Sequence, residues 1–286
     1  MVTDEHLEHL RLSGHTKATI YSRRRALARM EAALPGSLLD ATPAMLERWR
    51  ASLTTGDEAT VAYVSHAKSF YDWAISRGLI ASNPAANLPV PRLGRRLPRP
   101  IAEDDLMTAL AAAPRRVRCW LVLAAWCGLR AREIALLRRE NILETASPPV
   151  LIVAASATKG RSERVIPLSA FVLAELAAAR LPSSGYVFRR GDGRPGPNEA
   201  WRVSQLANRH LHECGIADTL HQLRHRCGTM AYRASRDLRA VQELLGHSSP
   251  STTAGYAAYD RAALAAAVEA LPVPGRLRVM PRREAG

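Results

Sequence analysis

Arg130 and Glu133 stand three residues apart in the segment CGLRARE, at the end of an apolar run. At that spacing a carboxylate can orient a guanidinium that faces a cleft, although a plain surface ion pair would look the same. The segment HQLRHRCGT places His221, Arg224 and His225 at i, i+3 and i+4, on one face of a helix. Two histidines four apart are a metal-ligand spacing, but no Glu follows the first and Arg224 between them would repel a cation, so no metal site is expected. In LGHSSPSTTAGYAAY, His247 follows a helix stop and Tyr256 comes nine residues later, where a tyrosine suits half-buried packing as well as nucleophilic attack. Lys159 is the only lysine beyond position 68 in a chain with 3 lysines and 37 arginines. A plain phosphate contact accepts arginine equally well. A lysine kept in a turn therefore fits a group that must give up its proton, which a guanidinium of pKa above about 12 does not do.

These side chains need elements to hold them. The first eighty residues read as helices: one from the cap Thr16 to about Leu34, one opened by Thr42-Pro43 and running to about Leu53, and one from Asp57 to Arg77 closed by Gly78. In the third, Val61, Val64, Phe70, Tyr71, Ala74 and Ile75 keep a helical spacing and supply an apolar face. PVPRLGRRLPRP, residues 89–100, holds four prolines, four arginines and no acid, and reads as an extended basic linker suited to track phosphates. Helix-like runs follow near 102–113 and 116–138. Two β-branched runs, Val150 to Ala154 and Arg164 to Leu168, then flank SATKGRSE as a hairpin. Helical patterns return at about 169–180, 198–213, 219–234, 237–245, 250–258 and 260–270. Leu244-Leu245-Gly246 is a helix stop, Ser249-Pro250 a start, and the last dozen residues a loose basic tail.

At 286 residues the chain is long enough for about two domains, each with its own core, which excludes a peptide hormone or a disulfide-knotted toxin. Forty Lys+Arg against 26 Asp+Glu give a net charge of +14, which calls for a polyanionic partner, nucleic acid before an anionic membrane surface. The charge is spread, with 14 basic against 9 acidic residues up to position 100 and 26 against 17 beyond it. The four cysteines, Cys119, Cys127, Cys214 and Cys227, show no CxxC spacing, and the N-terminus has no leader pattern; reduced thiols in a cytoplasmic, nucleoid-associated protein are expected. The longest apolar stretch, Cys119 to Gly128, is about half of a membrane span of roughly 20 residues, so no membrane segment is expected.

CGLRARE, a lysine in a β-hairpin, HxLRH, LGH and a final TTxxY resemble, in order and spacing, the tyrosine recombinases, the group of phage integrases and Xer-type recombinases. The resemblance is strong over about residues 100–270 and reaches residues 1–90 only as a helical DNA-binding arm. It implies a mainly α fold with a small antiparallel β-hairpin or sheet in the catalytic domain. The implied layout is a two-domain C-shaped clamp: a SAM-like core-binding domain (1–88), the linker (89–100), a catalytic domain (101–272) and a tail (273–286). Arg130 and Arg224 become the arginine pair, Lys159 the hairpin lysine, His221 and His247 the two histidines, and Tyr256 the nucleophile, with Tyr259 its rival and Glu133 and His225 in support. Arg23, Arg24, Arg92, Arg95 and Arg96 are expected DNA contacts. Gly255 before the tyrosine and Arg226-Cys227 after HQLRH depart from the family pattern.

The implied chemistry is physically coherent. Ionising a tyrosine of pKa near 10 at neutral pH costs about 4 kcal/mol. Two arginines on the non-bridging oxygens would stabilise the pentavalent transition state, His221 would accept the tyrosine proton, His247 would donate to the phosphate, and Lys159 would protonate the departing 5′ oxygen. No cofactor and no ATP loop of the GxxxxGK type is expected. The resemblance further implies double-stranded recombination sites as partner, a tetramer on DNA and an accessory directionality factor as an optional partner. The helix from Asp260 to Leu271 would dock either on a neighbour or on its own domain. The job would be integration or excision of a mobile element ahead of Xer-like resolution. A non-catalytic DNA-binding regulator and a type IB topoisomerase are the rival readings.

Overall fold

The computed structural model describes residues 2–94, 98–158 and 162–247. The chain divides into two compact units, Met1–Arg95 and Arg96–Gly286.

The first unit is helical. The order is α1 (Val2–Leu12), α2 (Lys17–Ala33), α3 (Pro43–Ala51) and α4 (Asp57–Ser76). The expected caps hold: Thr16 Oγ1 accepts from Thr19 N, and Thr42 Oγ1 accepts from Met45 N with Pro43 in the first turn, so each helix start satisfies a main-chain donor that has no partner within the helix. Gly78 closes the third expected helix in the left-handed region, at φ +69°. The apolar faces of all four helices share one core, with Leu7, Met30, Leu46, Trp49, Phe70 and Tyr71 at its centre. Tyr71 spends its hydroxyl on Leu38 O at 3.0 Å, so a buried polar tip is satisfied. Helix α1 adds an element that the expected series, which began at Thr16, did not resolve.

The second unit comprises, among its described residues, α5 (Glu103–Ala112), α6 (Arg115–Cys127), α7 (Ala131–Ala135), β1 (Ile142–Leu143), β2 (Val150–Val153), β3 (Arg164–Pro167), α8 (Ala170–Ala178), α9 (Ala200–Glu213), α10 (Leu220–Ser235) and α11 (Leu238–Leu245). Helix α6 is its axis. Cys119 through Ala125 are buried in succession, so this stretch of the helix is apolar all round and has neighbours on every side, while α8, α9 and α10 pack on the helix. Each buried Leu or Val there contributes about 1.5–3 kcal/mol.

The expected hairpin is present and extended by one strand. The sheet order is β1-β2-β3, antiparallel throughout, with Leu151 opposite Ile166 and Val153 opposite Arg164. One expectation is corrected: the single run near 116–138 is two helices. Gly128 adopts φ +63°, Leu129 N donates back to Leu123 O at 3.2 Å, and the chain leaves the α6 axis before α7 begins. The helices expected at 250–258 and 260–270, and the tail, lie outside the described residues.

Candidate active site

The turn after α6 delivers the first arginine. Arg130 caps α7, and Glu133, in the third position of that helix, reaches back so that its Oε2 accepts the Arg130 N–H at 2.9 Å. The Arg130 guanidinium donates to Glu133 Oε1, also at 2.9 Å, while its side chain stays 35% exposed. The expected orientation of Arg130 by Glu133 is therefore what the geometry shows: the carboxylate is fully buried and the guanidinium keeps an open edge.

Helix α10 delivers the second arginine. Its start is fixed by Gln222 Oε1, which accepts from Thr219 N and Thr219 Oγ1 at 2.6 Å, and by Asn208 Oδ1, which accepts from Leu220 N at 2.8 Å. Arg224 is among the largest fully buried side chains of the described residues. Its Nη1 donates to Gly128 O and its Nη2 to Leu245 O at 2.5 Å, so it ties the ends of α6 and α11 together. Glu133 Oε2 is 3.7 Å from its Nη1. One turn earlier, His221 stands exposed, its ring 4.6 Å from that of His225 in an edge-to-face contact. The i, i+3, i+4 reading thus gives a graded face: His221 outward, His225 half-buried, Arg224 inside.

Arg130, His221 and Arg224 line one cleft of about 350 Å³, together with Arg132, Trp201 and Ser204. His247 opens instead on a second cavity, of about 520 Å³, shared with Ser162, Arg164 and Gln242. Its backbone is pinned at the end of α11, where Gly246 turns at φ +62°, His247 N donates to Gln242 O at 3.1 Å and Gln242 Nε2 donates to His247 O at 3.0 Å.

The cluster is dominated by positive charge, and its imidazoles respond. Partial desolvation of its ring, then Arg224 and Arg130, holds the His221 pKa below the ordinary histidine value. Burial with His221 and Arg224 pushes His225 down to about 4, and burial with Arg224, Arg130, His225 and Arg164 pushes His247 down to about 4. His225 and His247 are thus neutral at pH 7 and His221 is shifted toward the neutral form, in which a ring can accept a proton at one nitrogen while donating from the other. Burial alone would raise the Glu133 pKa, but the hydrogen bonds and charge of Arg164, the Arg130 N–H and the charge of Arg224 outweigh it and hold Glu133 ionised.

Arg164 is the member that the sequence reading missed. It forks onto Glu133, Nη1 to Oε1 at 3.0 Å and Nη2 to Oε2 at 2.7 Å, and its Nε donates to Leu244 O at 2.9 Å. The signal was present: in the alternation of β3, Arg164 shares the inward face with Ile166, an unusual place for a charge without a buried partner. Arg226, a departure from the family pattern, has a structural account. Its Nε and Nη2 fork onto Glu103 at 2.9 and 2.7 Å, its Nη1 donates to Ala125 O at 3.1 Å, and its guanidinium lies 4.5 Å over the Trp126 ring, tying α10 to α5 and α6. Cys227 fills the space beside Gly128 and packs with Val241 and Leu245.

Of the expected DNA contacts, Arg24 and Arg92 are exposed, while Arg23 is half-buried and donates to Ser69 Oγ on α4. Lys159, Arg95, Arg96, Gly255, Tyr256 and Tyr259 lie outside the described residues. Among the described residues no group of three His, Cys, Asp or Glu side chains could hold a metal ion, and no helix is long and apolar enough to cross a membrane.

Residues 100–262 match the phage integrase family. Tyrosine recombinase XerC of Rhodospirillum centenum is 36% identical over 217 residues, covering 69% of this chain and 61% of its own length. Tyrosine recombinase XerC of Serratia marcescens is 33% identical over 218 residues, covering 69% and 67%. The chain thus spans about three fifths to two thirds of the length of these relatives. Among solved structures, a lambda integrase dimer bound to a COC′ core site superposes with a TM-score of 0.72 at 18% identity, over 88% of this chain and 95% of that one. The Tn1549 transposon integrase in complex with a circular intermediate DNA gives 0.71 at 17% identity, over 94% and 99%. At such identities the likeness speaks for the fold, and the family rests on the sequence matches. On those matches, the chain belongs to the phage integrase family, and the relatives it matches in sequence are tyrosine recombinases.

Proposed function

We propose that the chain is a site-specific DNA recombinase that cuts and rejoins strands through a 3′-phosphotyrosyl intermediate. The observation that carries the reading is the convergence of Arg130 and Arg224, from two different helices, on one cleft with His221 beside them and Glu133 between them. In this reading the scissile phosphate enters that cleft and a non-bridging oxygen takes the open edge of the Arg130 guanidinium, while the buried charge of Arg224 in the cleft wall adds its field where charge grows in the transition state. Tyr256 Oη forms a bond to phosphorus as the bond to the 5′ oxygen breaks; the phenolic proton passes to neutral His221, and Lys159 gives a proton to the leaving oxygen. His247 donates a hydrogen bond to the phosphate. The phosphotyrosyl ester keeps the bond energy, so attack by another 5′ hydroxyl reseals DNA and releases Tyr256 without ATP.

Double-stranded recombination sites are the proposed partner, and a tetramer on DNA the proposed working form. A lambda integrase tetramer bound to a Holliday junction, similar to this chain with a TM-score of 0.69, supports the latter. The biological job is read as integration or excision of a mobile element, the domain plan as an arm (1–88), linker (89–100) and catalytic domain (101–272).

The test incubates wild type and Tyr256→Phe with nicked duplexes carrying candidate attachment sites and looks for a covalent protein–DNA band on a denaturing gel. A band in wild type and none in the variant is expected. No band in either, on DNA that demonstrably binds, would assign the chain to non-catalytic regulation; a band that survives in the variant would move the nucleophile to Tyr259.

A further inference from the structure

Glu133 is fully buried and meets three arginines, Arg130, Arg164 and Arg224. Two of these arginines belong to the proposed chemistry. The third, Arg164, lines the cavity of His247 and comes from the first position of β3. We infer that Arg164 is a positioning residue for strand cleavage: its single guanidinium fixes Glu133, and through it Arg130, relative to the end of α11 that carries His247.

The geometry asks for an arginine and no other side chain. Both Glu133 oxygens are engaged by the two Nη atoms at 3.0 and 2.7 Å, while Nε, on the other edge of the plane, takes the Leu244 carbonyl at 2.9 Å. Only a planar group with donors on three nitrogens makes these bonds at once; an ammonium is a single point of charge. The side chain is 8% exposed and Glu133 is fully buried, so neither can exchange its partner for water. Gly246 completes the fit. A Cβ there would stand 3.1 Å from Arg164 Cδ and 3.2 Å from Nη1, a tight contact, and the left-handed φ of +62° adds to it, so glycine is the residue that best lets the guanidinium lie against the turn. The Leu244 and Leu245 carbonyls at the negative end of α11 are taken by Arg164 and Arg224 respectively, so the turn leading into His247 is held by two arginines that both also approach Glu133.

Without Arg164, Glu133 has Arg130 and Arg224 as its remaining partners, and the carboxylate is free to draw the Arg130 guanidinium off the cleft. A displacement of about 1 Å in such a group costs up to about a hundredfold in rate. This inference rests on the recombinase reading above.

The experiment measures the single-turnover rate of adduct formation at saturating DNA, with the full chain, on the nicked duplex on which wild type forms its adduct. A second duplex carries a neutral methylphosphonate at the scissile position. Arg164→Met and Arg164→Lys are compared with wild type and Arg130→Ala, and DNA affinity and urea stability are measured alongside. Arg164→Met is expected to lose about tenfold to a hundredfold on the phosphate, at nearly unchanged affinity, with Arg164→Lys in between. On the methylphosphonate, where less negative charge develops, the deficits of Arg164→Met and Arg130→Ala should both shrink to a few-fold. Full restoration by Arg164→Lys would reduce the residue to a bare charge and overturn the fork. An equal deficit on both substrates would make it a purely structural residue, and a wild-type rate in Arg164→Met would overturn the inference while leaving the recombinase reading intact. Should Arg164→Met not fold, the folded Arg164→Lys carries the same comparison. No adduct in wild type would sink the reading and this inference with it.

Discussion

His225 and His247 pass from an ordinary histidine pKa in the unfolded chain to about 4 in the folded one. The unfolded state therefore binds more protons between about pH 6.5 and 4, and the slope of stability against pH is positive there. Above that window the contribution is flat. His221, lowered in the same direction, and His6, lowered to about 4 in the first unit by burial and by Arg23, His9 and His15, add the same sign. Urea midpoints should thus fall steadily from about pH 7 to about pH 5, and His6→Phe should reduce the part that belongs to the first unit and leave the share of His66, which burial and Arg23 lower in the same direction, since both His6 ring nitrogens are buried without a hydrogen-bond partner. Midpoints that hold constant over this range would contradict these shifts. The pairing of Arg130 with Glu133 and the shared turn of His221 and Arg224 were legible in the sequence because they are local, set by spacings of three residues, whereas the expectation that the two pairs form one site came from the family resemblance. Arg164 was not legible, because its partners Glu133 and Leu244 lie 31 and 80 residues away, and only the tertiary fold brings them to one guanidinium.

At the scale of elements, the punctuation was readable and the break inside 116–138 was not. Thr16, Thr42 and Gly246 end or begin helices where their chemistry says they should. Across Gly128 the apolar pattern simply continues, through Leu129 and Ile134, because the chain turns within the core instead of leaving it; both residues are buried on the far side of the turn. Periodicity reports burial and so carries no mark of a turn that stays buried. Gly128 itself is then the critical residue of the site's architecture, since its carbonyl receives Arg224 and its turn aims Arg130. An alanine there would carry the left-handed φ of +63° and a Cβ 2.5 Å from Leu245 Cδ2, which is fully buried, and 3.3 Å from Cys227 Sγ. The conformational penalty of about 1–2 kcal/mol and the overpacking penalty of about 1–3 kcal/mol act together, so Gly128→Ala should lose about 2–5 kcal/mol in urea unfolding. A loss within about 0.5 kcal/mol, the range of an ordinary surface substitution, would show that α6 and α11 can part without cost.

On the scale of the whole molecule, the net charge of +14 needs a destination. The clustered cations of the site cannot be the whole of it, because Arg164 and Arg224 are buried and engaged by Glu133 and main-chain carbonyls. In the proposed function the excess acts on DNA through exposed arginines, and it is divided between the two halves of the sequence, each of them basic. A duplex engaged by both halves releases counterions from phosphates along its length, and the logarithm of the binding constant falls with the logarithm of salt at a slope of about −0.9 for each phosphate neutralised. Contacts confined to the cleft of Arg130 and Arg224 would neutralise only a phosphate or two. Contacts from both halves should reach about six to ten, which predicts a loss of about 10³–10⁵ in affinity between about 50 and 200 mM salt. Fluorescence anisotropy of a labelled duplex against salt measures the slope directly. A slope near −2 would restrict recognition to the cleft, leaving the basic charge of the first half without a role in binding; a slope of about −5 to −9 would show that the charge spread along this chain is the part of the molecule that holds DNA.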